Sequence, residues 1–97
     1  MSLIKQIKSE VRKLFAELVD IRRHIHMHPE LSFKEMKTSA FIKGHLDRHG
    51  IKYTSGYCKY GIIAEIKGKS SRKITYLRGD MDALPILEQN KVDYKSK

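Results

Sequence analysis

An α/β fold follows from the way hydrophobic spacing changes along this 97-residue chain. Ile4, Ile7, Val11, Leu14, Leu18, Ile21 and Ile25 recur at alternating steps of three and four, which sets them on one helical face. Short strand-like runs then follow at 51–58, 61–67 and 74–77, separated by brief polar turns. A chain of this length allows one domain with a modest core, and nothing in it reads as a linker or an internal repeat.

The first helix carries Lys and Glu opposite its apolar face, as a helix packing on a core would. The same rhythm is also that of a coiled-coil heptad; packing on a core is the expectation. Pro29 should end the helix, because a proline pushes the residue before it out of the helical region. A second helix is expected to open on a capping box, Ser32-Phe33-Lys34-Glu35, in which hydroxyl and carboxylate satisfy first-turn amides. Met36, Ala40, Phe41 and Leu46 supply its apolar stripe, and Gly50 suits the left-handed position after its last turn. The runs at 51–58 and 61–67 are joined through Lys59 and Tyr60, which favours a hairpin. After a polar turn at 68–72, residues 74–77 read as a further strand of a mixed sheet.

That strand runs straight into Arg78-Gly79-Asp80-Met81-Asp82-Ala83-Leu84-Pro85. Two carboxylates two residues apart, beside an arginine, stand where an apolar strand gives way to a proline-bounded loop. Ligand sites of open α/β sheets gather at such carboxyl ends of strands. The bland alternative is a solvated turn, since Asp hydrogen-bonds its own backbone readily in loops. Arg78-Gly79-Asp80 also has the composition of an integrin-binding tripeptide, but its place at a strand end in a chain without an export signal argues against display.

A second motif lies upstream: Arg22-Arg23-His24-Ile25-His26-Met27-His28-Pro29-Glu30-Leu31-Ser32-Phe33-Lys34-Glu35. Together the two stretches resemble the M20 family of metal-dependent amidohydrolases and peptidases. The branch they resemble contains N-acyl-amino-acid amidohydrolases, hippurate hydrolases and auxin-conjugate hydrolases. Its members read Arg-Arg-x-x-His-x-x-Pro-Glu-Leu-x-Phe-x-Glu, then Thr, a helix ending Leu-x-x-x-Gly, and a Gly-Val/Ile-x-Ala strand. Leu-Arg-x-Asp-Met-Asp-Ala-Leu-Pro-Ile-x-Glu follows. Arg22, Arg23, His26, Pro29, Glu30, Leu31, Phe33, Glu35, Thr38, Leu46 and Gly50 match in order. So do residues 61–64 and, with local variation, 77–88 including Glu88.

The resemblance implies the N-terminal portion of an M20 catalytic domain: two helices, a hairpin and a further strand. It implies metal-assisted hydrolysis of an N-acyl amino acid or small peptide, with one or two divalent ions, zinc or manganese, and a glutamate general base. A His-Ala-Cys-Gly-His-Asp motif supplies metal ligands in that branch and would follow shortly after Lys97. Residues 1–97 are thus expected to be a partial catalytic domain that holds no metal tightly by itself. In related branches the loop reads His-x-Asp, so Asp80 falls at the ligand position and Asp82 at the supporting one. Support is the expectation for both, with Asp82 accepting a hydrogen bond from a metal-bound imidazole. Arg78 is expected to pair with a carboxylate. His26, Pro29 and Glu30 are expected to be architectural, with His26 and Glu30 buttressing the loop after Leu77.

Other chemistry is weakly supported. His24 and His28, like His45 and His49, are four apart and share a helical face, but neither pair has a Glu or Cys placed to complete a site. The lone Cys58 excludes an intramolecular disulfide and lacks the flanking motif of a ligand. A net charge of +9 would attract phosphate, yet the basic residues are dispersed and not interleaved with aromatics, so nucleic-acid binding is not favoured. No apolar run reaches a membrane span and no leader is evident, which points to the cytoplasm and away from membranes. Unpaired strand edges leave homo-oligomerisation open. Three readings stand: part of an amidohydrolase, a small binding or oligomerising module derived from that fold, or a basic nucleic-acid-binding domain.

Overall fold

The computed structural model describes residues 2–70 and 72–97; Ser71, inside the expected turn at 68–72, and Met1 lie outside them. Helix α1 spans Leu3–Met27, α2 spans Met36–Arg48, β1 spans Lys52–Tyr57 and β2 spans Gly61–Glu65. The α/β class and the hairpin are as the sequence predicts. The chain forms two compact units, Met1–His28 with Leu87–Lys97, and Pro29–Ile86.

In the first unit, Ser2 caps α1, its hydroxyl oxygen accepting from the Lys5 amide at 3.3 Å. At the other end the His28 amide and ring nitrogen Nδ1 donate to the carbonyls of Ile25 and His24, and the Lys97 amide donates to that of Met27. Three of the carbonyls a helix end leaves orphaned are thereby satisfied before Pro29. The expectation of a core-packing face is not met: α1 has no buried residue, and its apolar row is exposed from Ile4 to Leu18. Only toward the end of the row, at Ile21 and Ile25, are the side chains half-buried.

In the second unit α2 starts later than the capping box implies. Phe33 takes φ of 64°, and the Lys34 amide closes a turn onto the Leu31 carbonyl at 2.9 Å. This turn displaces Ser32 from the cap, and Glu35 becomes the residue preceding the helix with no side-chain cap bond of its own. The buried positions of α2 are polar, Thr38 and Ser39, whereas Met36 and Ala40 of the expected apolar stripe are exposed. Polar burial prevails because both side chains find partners: Thr38 meets Glu30, and Ser39 donates to the Tyr60 carbonyl at 2.8 Å. The helix ends in a Schellman arrangement, with Gly50 (φ 65°) donating to Asp47 and Ile51 to Leu46.

Strands β1 and β2 pair antiparallel, Lys52 opposite Glu65 through Ser55 opposite Ile62, with an irregularity between Ser55 and Tyr57. Gly56 absorbs it at φ 98°. Cys58 and Lys59 both take positive φ, 48° and 77°, as a tight turn matched to strand twist demands. The hairpin meets α2 through Ser39 and through the Tyr53 hydroxyl, which donates to Asp47 at 3.2 Å. Residues 74–77 do not form the expected third strand: among the described residues β1 and β2 pair only with each other, and Leu77 is 97% exposed. An apolar run becomes a strand only when a neighbouring edge takes its amides and carbonyls. Among the described residues no hydrophobic side chain is buried, and no helix is long and apolar enough to cross a membrane.

The hairpin turn yields opposite outcomes from two substitutions. A Cβ at Gly61 would stand 2.6 Å from the Tyr57 carbonyl oxygen, so Gly61→Ala should loosen the hairpin by about 1–3 kcal/mol. Lys59→Gly relieves a left-handed backbone and should stabilise it by about 1 kcal/mol. Urea unfolding followed by circular dichroism reads both; equal midpoints for the two variants would contradict this turn geometry.

Candidate functional site

The two sequence motifs meet through Glu30, which works with both its side chain and its main chain. Pro29 ends α1 and sends the chain across the start of α2. There the Glu30 carboxylate accepts from the amides of Lys37 and Thr38, at 3.1 and 2.5 Å, and from the Thr38 hydroxyl at 2.6 Å. Those amides are orphan donors of the first helical turn, so a residue outside the helix does what a cap residue normally does. Burial pushes the Glu30 carboxyl up, but the Thr38 and Lys37 hydrogen bonds and the Lys37 charge outweigh it, and its pKa falls below the ordinary value.

The Glu30 carbonyl oxygen accepts from the Ala83 amide at 2.7 Å, and the Ser32 hydroxyl donates to Asp82 Oδ2 at 3.2 Å. Two contacts made two residues apart in the upstream motif, by Glu30 and Ser32, thus hold the consecutive residues Ala83 and Asp82 of the loop. Asp82 is brought to this seam. Asp80 instead receives the Arg78 guanidinium at 2.9 Å, with both side chains largely exposed. Beyond the loop, the Ile86 amide turns back onto the Leu84 carbonyl around Pro85.

The remaining two motif residues pair within the first unit. His26 Nε2 lies 2.7 Å from Glu88 Oε2, and the Ser96 amide donates to the same oxygen at 2.8 Å. Tyr94 sets its ring edge toward His26 and its face under the Arg23 guanidinium, 4.3 Å from the centroid. The Ser96 amide first, then His26, hold the Glu88 carboxyl down at about 2. Tyr94 and Ser96 are not singled out by the sequence, since a tail contact leaves no periodic or motif signal; Arg23 stands in the upstream motif, and its partner Tyr94 comes only from the fold. Thr38 stands in the resemblance pattern, and its side chain explains why. Of the other histidines, His28 bonds the His24 carbonyl, and His45 packs edge-on to Phe41 at 4.7 Å between centroids.

Over 96 residues the chain is 42% identical to the Bacillus subtilis (strain 168) protein named "Putative amidohydrolase YhaA", covering 99% of this chain and 24% of that protein. It is 51% identical over 76 residues to proteins named "Uncharacterized hydrolase" from Staphylococcus aureus strains USA300 and N315, covering 78% of this chain and 19% of each. The chain is therefore similar to hydrolases, one of them named as an amidohydrolase. It spans about a quarter or less of the length of these relatives. No family model and no solved structure matches it.

Two carboxyls carry the expected pH dependence. Both Glu30 and Glu88 are held below the ordinary value of 4.5, so the unfolded chain takes up protons first on acidification. The stability they contribute is complete above about pH 4.5 and is lost as pH falls through their folded values, about 2 for Glu88. Acid titration followed by helical ellipticity should show this limb, and Glu30→Gln and Glu88→Gln should each flatten it. An unchanged limb in both variants would remove these carboxylates as the cause. Separately, Glu30→Ala should cost α2 about 1 kcal/mol, the usual loss for a missing cap. His26→Ala should free the 88–97 tail, read as faster amide exchange at Ser96.

Proposed function

We propose that this chain is the N-terminal part of the catalytic domain of an M20-type, metal-dependent amidohydrolase acting on N-acyl amino acids or small peptides. The observation that carries the reading is the joining of its two motifs: Glu30 and Ser32 hold Ala83 and Asp82. Residues far apart in sequence but adjacent in motif order lie at one seam, which a chance pair of short matches would not require. Similarity to proteins named as hydrolases adds to it.

In this reading Asp82 is the supporting carboxylate, presented in one orientation because Ser32 engages one of its oxygens. Asp80 pairs with Arg78, Pro29 and Glu30 hold the backbone beside the loop, and His26 with Glu88 ties the chain after residue 87 to α1. A zinc or manganese centre needs three or more protein donors. The Asp80 and Asp82 carboxylates do not amount to that set, so no catalytic step is assigned through a metal on these residues. The ligands and the general base belong to sequence beyond this seam.

The intact mass of the protein in its source cells tests the reading first. A mass well above 11.3 kDa is expected. That longer protein should release amino acids from N-acyl substrates, lose turnover to a chelator and regain it with Zn²⁺ or Mn²⁺. The 97-residue chain alone should show no turnover under the same conditions. Metal-dependent hydrolysis by the short chain would overturn the assignment of its residues to support, and an inactive longer protein would overturn the function.

A further inference from the structure

We propose that Thr38 is a positioning residue for Asp82, acting through Glu30; the proposal rests on Asp82 being the supporting carboxylate of an amidohydrolase. Thr38 is the third residue of α2 and is buried, 5% exposed. Its amide and its hydroxyl both donate to Glu30 Oε1, at 2.5 and 2.6 Å, while the Lys37 amide donates to Oε2 at 3.1 Å. A capping box places a hydroxyl before the helix and a carboxylate at its third position. Here the two are exchanged: the carboxylate comes from outside α2 and the hydroxyl from within it. Almost any side chains at 37 and 38 would leave the two amides in place. The Thr38 hydroxyl is therefore the part of this grip that depends on which residue stands there.

What the grip holds is a backbone. The Glu30 carbonyl oxygen accepts from the Ala83 amide at 2.7 Å, and the Ser32 hydroxyl donates to Asp82 at 3.2 Å. The first bond is short for its type and the second long, so the Ala83 bond does more to set where the exposed Asp82 stands. Two donors on one Glu30 oxygen and a third on the other give its side chain one orientation, and with it the carbonyl one direction. Removing the Thr38 hydroxyl leaves Oε1 with a single donor and frees that side chain to turn. The loss thereby reaches a carboxylate that Thr38 does not touch.

NMR on the isotope-labelled 97-residue chain tests the linkage through the scalar coupling across the hydrogen bond from the Ala83 amide to the Glu30 carbonyl. That coupling should be lost in Thr38→Val, which keeps the shape of the side chain, and retained in Thr38→Ser, which keeps the donor. Thr38→Ala, the better helix former, takes the place of Thr38→Val if the latter lowers helical ellipticity. Ser39→Ala is the control for a merely structural effect: it removes the other buried hydroxyl of α2, whose partner is the Tyr60 carbonyl, and should leave the coupling intact. In the longer protein Thr38→Val should lower kcat about fivefold, the weight of one hydrogen bond, with KM unchanged, and Thr38→Ser should restore it. A coupling that survives loss of the Thr38 hydroxyl, or that Ser39→Ala also abolishes, would overturn the proposal. So would an active longer protein whose kcat is unmoved by Thr38→Val. An unaltered longer protein without turnover would overturn the proposed function, and with it the part of Thr38 in catalysis. That failure is told apart from the others because the coupling is read on a chain that need not be active.

Discussion

Glu30 ties two distant parts of the second unit to each other. Its carboxylate satisfies two amides at the start of α2, and its carbonyl holds the amide of Ala83 more than fifty residues later. An acidic group at a helix N-terminus is favoured twice over, by the unpaired amides and by the helix dipole. That same requirement fixes the backbone of Glu30, and with it the carbonyl that anchors the Asp-Met-Asp loop. Helix capping and loop placement are therefore one constraint. Pro29 makes it available by ending α1 just before Glu30.

Polar contacts, more than apolar burial, organise this unit. Its buried residues are Glu35, Thr38 and Ser39, and its apolar side chains are half-buried or exposed. Directional bonds specify geometry well but add modest net stability each, about 1 kcal/mol. Large apolar residues from Ile74 and Leu77 to Leu84 and Ile86 are exposed in this unit. This balance places the precision of the unit in the seam between its two motifs.

The same logic separates the roles of the carboxylates. Glu30 and Glu88 are each held by backbone amides and are low in pKa as a result, which marks them as structural anions. Asp82 makes a single neutral contact with Ser32, and Asp80 an exposed ion pair worth little to stability. In the proposed function these two carboxylates are the ones that support a ligand or a group that binds it.

Helix α1, its end at Pro29, the Gly50 terminus and the hairpin were legible in the sequence, because each depends on local spacing or on a residue with special backbone freedom. So was the order of the two motifs. Tertiary structure alone decided that Ser32 serves Asp82 instead of capping α2, since only the fold brings Asp82 within reach of its hydroxyl. It likewise decided that Thr38 and Ser39 are the buried face of α2, because their partners, Glu30 and Tyr60, come from other segments. Residues 74–77 and the apolar row of α1 make the remaining distinction. Their sequence determined what each segment is suited to become, a strand and a packing helix. Whether it does so depends on a partner edge or face, which is a property of the assembled structure and not of local sequence.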